Sequence, residues 1–229
     1  MRTDDGTDAS RRTFLDARRE SSRERFDTRL ARTYDEEWGE VSASHRSFLE
    51  RLLGMTRARG LVLDAACGTG KYWPDILASG RSVVGIDQSA GMLQVARSKH
   101  PNVPTACVAL GDLAFVEVFD AVVCIDSLEY VGPEDWPAVL TALRMAVRDR
   151  GPLYATVELA EADYLDRVYE QARAAGYPVV PGEDFDGTGY HHHPSRTTVL
   201  AWLEGAGLEI VQEGKGDEYW HLLLQRVGT

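Results

Sequence analysis

The sequence is poor in cysteine and has no long apolar run. Its three cysteines, Cys67, Cys107 and Cys124, are an odd number, and each lies in or beside a short apolar segment. This pattern is typical of reduced packing residues in a cytoplasmic protein rather than of a disulfide framework. Neither the Cys/His spacing of a zinc site nor a stretch approaching the ~20 apolar residues that span a bilayer is present. We therefore expect a cytoplasmic protein without a membrane partner.

Positive charge is also scarce. The 229 residues include 25 Lys and Arg against 36 Asp and Glu, a formal net charge of -11. That sign disfavours nucleic acid and anionic lipid as partners and leaves a small molecule as the expected one. The length suits one domain, and the sequence leaves monomer and homodimer open.

The chain divides into two parts by composition. Residues 1–25 are polar, with charges of both signs, and predict a flexible tail. Residues 26–229 predict one domain, with N-terminal helices over 26–55 and a lid-like insertion over 159–194. The helices at its start follow from apolar residues spaced four apart, namely Phe26, Leu30, Tyr34 and Trp38.

Short apolar runs alternate with helical segments through the middle of the chain. The runs cover residues 61–63, 83–86, 106–110, 121–125 and 153–157. Continuous apolar runs are typical of strands buried on both faces, which indicates a parallel sheet covered by helices. Residues 208–213 and 218–227 predict an antiparallel pair at its end. The expected fold is therefore α/β: a Rossmann-like seven-stranded sheet, mostly parallel with an antiparallel C-terminal strand, with helices on both faces.

Glycines and carboxylates mark the ends of the first strands. Gly68 and Gly70 lie in a turn that opens a helix, where glycine lets the backbone approach a ligand closely. Asp87 ends the second strand, where a carboxylate can accept both hydroxyls of a ribose. A third glycine of the dinucleotide type is replaced by Trp73, which favours a single nucleoside over a two-phosphate ligand. Asp112 follows the third strand and is suited to an adenine amine.

The segments Val-Leu-Asp-Ala-Ala-Cys-Gly-Thr-Gly (62–70) and Val-Gly-Ile-Asp-Gln-Ser-Ala-Gly-Met-Leu (84–93) resemble the first two motifs of class I S-adenosylmethionine-dependent methyltransferases in order and spacing. The resemblance covers about residue 26 to the C-terminus. It implies an enzyme that converts S-adenosylmethionine to S-adenosylhomocysteine and methylates an O or N atom of a small-molecule acceptor. By analogy with the family, natural-product metabolism is a plausible setting.

The resemblance also implies a set of cofactor-binding residues. Those expected to face the methionine moiety and the ribose are Asp64, Gly68, Gly70 and Asp87. Those expected around the adenine are Gln88, Met92, Asp112 and Leu113. The remaining expected members are Ala66, Gly111 and Ile125, with Tyr34 closing over the cofactor.

On the acceptor side, the segment 189–194 carries Tyr190, His191 and His193, and histidine is suited to proton transfer near neutral pH. We interpret these three as catalytic candidates, with one histidine removing a proton from the acceptor. A solvated loop is the alternative. A metal site is less favoured, because adjacent histidines rarely converge on one ion and no matched acid is evident. We expect no metal.

Residues at or near strand ends are candidates for the acceptor pocket. They are Glu129, Tyr130, Glu158, Tyr219 and His221, and Trp38 of the N-terminal helices is a further candidate. Acid there suits an amine acceptor. The Asn/Asp-Pro-Pro-Tyr signature of DNA amino-group methylases does not follow the fourth strand, which also favours a small acceptor.

Three other functions remain open at this point. A nicotinamide-dependent oxidoreductase is disfavoured by the missing third glycine and the reversed last strand. A nucleoside-binding sensor would bind the cofactor without turnover. The negative net charge disfavours a methyltransferase that acts on RNA, but it neither favours nor disfavours one that acts on a protein.

Overall fold

The protein is a seven-stranded sheet between two layers of helices, with an N-terminal helical segment across one edge. The computed structural model describes residues 5–185 and 189–227. Within them, no helix is long and apolar enough to cross a membrane.

The helices and strands follow one another in the order expected. The helices are α1 (Asp5–Arg25), α2 (Ala31–Trp38), α3 (Ala43–Met55), α4 (Trp73–Ala78), α5 (Ala90–Lys99), α6 (Trp136–Ala146), α7 (Ala162–Ala174) and α8 (Arg196–Gly205), and a π-helical turn, Phe26–Leu30, joins α1 to α2. The strands are β1 (Leu61–Ala65), β2 (Ser82–Asp87), β3 (Thr105–Cys107), β4 (Ala121–Cys124), β5 (Leu153–Glu158), β6 (Glu183–Asp184), β7 (His191–His192), β8 (Leu208–Gly216) and β9 (Tyr219–Arg226).

The large sheet has the strand order β3-β2-β1-β4-β5-β9-β8. Strands β1 to β5 pair in parallel, whereas β9 pairs antiparallel with both β5 and β8. The sheet is therefore parallel except for the last strand, which confirms the predicted fold. Because β9 is reversed, the tip of the β8–β9 hairpin lies at the same edge as the carboxyl ends of the parallel strands.

Two apolar clusters hold the helices on the sheet. One packs α6 and α8 against one face, with Trp136, Leu140 and Leu143 almost fully buried. The other packs α3, α4 and α5 against the opposite face, around Trp73 and Leu49. Strands buried on both faces need apolar residues at every position, as the continuous runs of the sequence predict.

The position of Trp73 explains two of the glycines. A Cβ on Gly70 would lie 2.6 Å from the indole, and one on Gly85 would overlap it. Gly70 also has a φ of 75°, which favours glycine. Gly70 in the turn after β1 and Gly85 on β2 thus both leave room for the Trp73 indole.

Where the sequence predicts a flexible tail, the structure has helix α1. Phe14 and Leu15 are buried in a third apolar cluster with Tyr190. The Arg11 guanidinium pairs with Glu183 at 2.5 Å and with Glu134 at 2.8 Å. A few apolar residues and one buried ion pair are therefore enough to dock this polar helix on the segment before β7.

Candidate functional site

A cavity of about 370 Å³ opens at the carboxyl edge of the sheet, above β1, β2 and β4. It is the edge at which ligands bind in open α/β sheets. Eight residues of the predicted cofactor site line it: Tyr34, Ala66, Gly68, Asp87, Gln88, Met92, Gly111 and Asp112. The structure therefore brings together most of that set, drawn from four separate chain segments.

Asp87 occupies the centre of this wall. One carboxylate oxygen accepts the Gly68 N–H at 2.8 Å, and the other accepts the Ser89 N–H at 2.8 Å. Burial raises the pKa of Asp87, and the two backbone N–H donors oppose that shift. Asp87 thus fixes the glycine turn to the start of α5, while each oxygen keeps a lone pair for a ligand hydroxyl.

Four members of the predicted cofactor set lie off the cavity wall: Asp64, Gly70, Leu113 and Ile125. Leu113 and Ile125 are buried in the two apolar clusters on opposite faces of the sheet. The Asp64 carboxylate, 2% exposed, accepts the Trp73 indole N–H at 2.8 Å. Its burial raises the pKa of Asp64 to about 7.

A second cavity, of about 640 Å³, adjoins the first. Four residues line both cavities and mark where they meet: Phe26, Tyr34, Asp126 and Tyr130. Six candidates for the acceptor side line the second cavity: Trp38, Glu129, Tyr130, Glu158, Tyr219 and His191. We refer to the two as the cofactor cavity and the acceptor cavity.

Glu129 is the most deeply buried acid of the acceptor cavity. It is 2% exposed, and its Oε2 has no hydrogen-bond partner within the described part of the chain. Burial, followed by the charges of Glu158 and Asp126, raises the pKa of Glu129 well above its usual range, against a hydrogen bond with Tyr219. An ionised carboxylate in this position gains strongly from a cation.

Asp126 lies just after β4 at this edge and is not among the predicted site residues. It has a φ of 50°, which is uncommon for a side-chain-bearing residue. His45 Nε2 lies 2.8 Å from one of its oxygens, and the Tyr72 hydroxyl donates to the other at 3.1 Å. Burial raises the pKa of Asp126, but His45, Lys71 and Tyr72 together outweigh it, so the net shift is downward. A fixed negative charge therefore stands where the cavities meet.

The remaining candidates for the acceptor side lie elsewhere. Tyr190 is buried beside Phe14, and its hydroxyl donates to Glu183 at 2.5 Å. His193 lines a neighbouring cavity that shares Glu158 with the acceptor cavity. His221 is fully buried; its ring bonds the Gly216 carbonyl oxygen and the Tyr154 hydroxyl.

Residues of α1 also contribute to the cofactor cavity. Arg19 and Ser22 line its wall, and Arg19 pairs with Asp135, another wall residue. No sequence pattern predicts this contribution, because α1 carries charges of both signs along its length. An apolar pair in a polar helix, Phe14 and Leu15, was the one available hint of docking.

The comparisons with known proteins agree with this geometry. Residues 62–151 match the model of a family described as a methyltransferase domain. A malonyl-[acyl-carrier protein] O-methyltransferase of Serratia marcescens is 32% identical over 149 residues, 63% of this chain and 56% of that protein. A ubiquinone biosynthesis O-methyltransferase of Alkalilimnicola ehrlichii is 29% identical over 71% of this chain and 68% of its own length.

Solved structures show the same fold. A magnesium protoporphyrin IX methyltransferase from Synechocystis, with bound S-adenosylhomocysteine, superposes with a TM-score of 0.66 and 18% identity, over 90% of this chain and 97% of that one. A methyltransferase from Clostridium acetobutylicum gives a TM-score of 0.66 at 18% identity, over 87% and 98% of the two chains. Residues 62–151 therefore match a methyltransferase domain, and the fold is that of S-adenosylmethionine-dependent methyltransferases. These matches support the resemblance to the class I family and its cofactor that the sequence motifs predict.

Proposed function

We propose that this protein transfers the methyl group of S-adenosylmethionine to an O or N atom of a small molecule that also carries a cationic group. One observation carries the proposal: the cofactor and acceptor cavities meet at Phe26, Tyr34, Asp126 and Tyr130. Methyl transfer from a sulfonium is an in-line displacement, so aligning donor and acceptor across such a junction supplies much of the acceleration.

In this proposal the nucleoside lies in the cofactor cavity. Asp87 accepts hydrogen bonds from the ribose hydroxyls, and Asp112 accepts one from the adenine amine. Gln88 and Met92 flank the base, and the backbone around Gly68 faces the methionine moiety. Tyr34 stands between the two ligands. The support is that all these residues line one cavity of a size suited to a nucleoside.

The charge of the acceptor cavity supports a cationic acceptor. Only Arg25 and Lys71 among its lining residues are strong bases. Eight carboxylates line it: Glu37, Glu40, Asp126, Glu129, Glu158, Asp184, Asp217 and Glu218. Its aromatic lining residues, Phe26, Tyr34, Trp38, Tyr130 and Tyr219, add π faces suited to an ammonium group. Glu129 Oε2 has no hydrogen-bond partner among the described residues, so it is the buried oxygen with which a cationic group of the acceptor would pair.

The first test is calorimetric titration with S-adenosylmethionine, S-adenosylhomocysteine and NAD. We expect the first two to bind and NAD not to bind. Asp87→Ala should abolish or greatly weaken binding, whereas Asp149→Ala, an exposed carboxylate before β5, should bind as the wild type does. Binding of NAD instead would favour an oxidoreductase and overturn the proposal.

The second test addresses the acceptor through S-adenosylhomocysteine formation with a panel of small amines and their neutral isosteres. We expect turnover with members of the amine set. Glu129→Gln should raise the KM for those amines at least about tenfold, because a buried charge pair is lost, while affinity for the cofactor stays unchanged. Cofactor binding without turnover on any acceptor would favour a sensor. Equal turnover of the amines and their neutral isosteres would show that the acceptor does not need a cationic group.

A further inference from the structure

Glu158, His191 and His193 converge on one point beside the acceptor cavity. His191 Nδ1 lies 2.9 Å and His193 Nδ1 lies 3.6 Å from the same oxygen, Glu158 Oε2. All three donor atoms lie within 4.8 Å of one another. Two donors bound at about 2.1 Å to one ion at a tetrahedral angle are separated by roughly 3.4 Å, so these separations match ligands of a shared metal ion.

The backbone explains why the two histidines face the same way. Strand β7 pairs with β6, and the His193 N–H donates to the Gly182 carbonyl oxygen at 2.7 Å, so the chain is extended here. Side chains two positions apart on an extended chain point to the same face. His192, between them, lies instead near Trp136 and Trp202. His191 and His193 are two positions apart rather than adjacent, so the argument that disfavours adjacent histidines as ligands does not apply to this pair.

Two of the three potential metal-binding atoms lack a hydrogen-bond partner among the described residues. His193 is 9% exposed, and its Nδ1 has no hydrogen-bond partner among residues 5–185 and 189–227. The same is true of Glu158 Oε2, although His191 lies close to it. One histidine would suffice to pair with a carboxylate, so the second, buried and aimed at the same oxygen, requires another explanation.

A second group of two histidines and one carboxylate has hydrogen-bond partners for its ring nitrogens. His45, Asp217 and His221 also bring donor atoms within 4.8 Å of one another. Both ring nitrogens of His45 are occupied, by Ser42 and Asp126, and those of His221 are bonded to Tyr154 and Gly216. This group is explained by hydrogen bonding, which leaves the first as the candidate metal centre.

The geometry points to a binding site for a first-row divalent transition metal held by Glu158, His191 and His193. Two imidazoles and one carboxylate leave coordination positions open, as in zinc hydrolases and iron oxygenases. Glu158 and His191 line the acceptor cavity, so an open position faces it.

Such an ion would hold an O or N atom of the acceptor as a Lewis acid, without a histidine acting as the base. The three residues then serve as ligands, and the proton-accepting role that the sequence suggests for His191 or His193 falls away. The metal site goes beyond the proposed function. It can be tested independently of that function, because metal binding is measured without the cofactor or an acceptor.

The test uses the full chain, stripped with a chelator, and Co²⁺ as the probe. We expect one Co²⁺ per chain, with a d–d absorption in the visible range that Zn²⁺ displaces. Glu158→Gln and His193→Ala should each weaken binding by at least about 100-fold, since even residues outside the ligand shell cost ten- to a hundredfold. His100→Ala, a histidine at the end of α5, is the matched control and should bind normally.

The thermal stability of each metal-free variant establishes that it is folded. Zn²⁺ should raise the Tm of the wild type and of His100→Ala, and leave that of Glu158→Gln and His193→Ala unchanged. An absence of Co²⁺ binding in the wild type would overturn the site. So would binding that persists in both Glu158→Gln and His193→Ala, because the ion would then be held elsewhere.

Discussion

Replacing Asp64 by Asn should stabilise the protein at alkaline pH and have its smallest effect near pH 4. The carboxyl group is fully buried, and burial raises its pKa from 3.8 to about 7, with the Trp73 hydrogen bond opposing and the Asp87 charge adding to the shift. In the unfolded chain the group loses its proton near its ordinary pKa, whereas in the folded chain it holds the proton up to about pH 7. The ionised form is therefore disfavoured by folding, and wild-type stability falls as the pH rises through this window.

The size of the effect follows from the shift. Each pH unit between the two pKa values costs about 1.4 kcal/mol, so the full cost above pH 8 is about 4 kcal/mol. Asn cannot ionise and can still accept the indole N–H. The stability difference between Asp64→Asn and the wild type should therefore widen by about 2 kcal/mol between pH 5.5 and pH 8.5.

Urea unfolding at three pH values, followed by tryptophan fluorescence and circular dichroism, measures this difference. Asp149→Asn, which changes an exposed carboxylate, is the control and should track the wild type at every pH. If the profiles of Asp64→Asn and wild type run parallel from pH 5.5 to 8.5, the buried carboxyl ionises as readily as an exposed one and the argument fails.

Three further substitutions test other parts of the structure. Arg11→Met should destabilise the protein by about 3–5 kcal/mol in urea unfolding, because it leaves the fully buried Glu183 without its cation; a change below 1 kcal/mol would mean that α1 is not docked. Gly85→Ala should lower stability by about 1–3 kcal/mol, since its methyl group meets Trp73, and an unchanged Tm would show that the indole can move aside. Tyr34→Ala should weaken S-adenosylmethionine binding about tenfold in calorimetry, if Tyr34 packs on the cofactor, and equal affinity would remove it from that role.

The sheet and the cofactor wall were predictable because their signals are local. Continuous apolar runs indicate the buried strands. The glycine turn follows β1, Asp87 ends β2, and Asp112 lies in the short turn after β3. Parallel strands bring all such ends to one edge, so sequence order alone places these residues near one another.

Side-chain direction and long-range pairing were not predictable in this way. Asp64 lies one residue before the end of β1, yet its carboxylate is buried against Trp73, which donates its indole N–H to it. The docking of α1 depends on Arg11 meeting Glu183, a contact 172 residues away along the chain. Glu158, the acid beside the histidines, precedes them by more than thirty residues, so nothing local in the sequence signals their contact.

The walls of the cofactor cavity and of the acceptor cavity come mostly from different parts of the chain. Most of the cofactor wall belongs to residues 62–151, which match the methyltransferase domain, whereas most of the acceptor wall comes from outside that range, including the β8–β9 hairpin tip at Asp217, Glu218 and Tyr219. A hairpin tip can change length or composition without disturbing the strand pairs behind it. If the proposed function holds, grafting the tip and the segments around β7 from a related enzyme should change the acceptor that is methylated and leave S-adenosylmethionine binding unaltered.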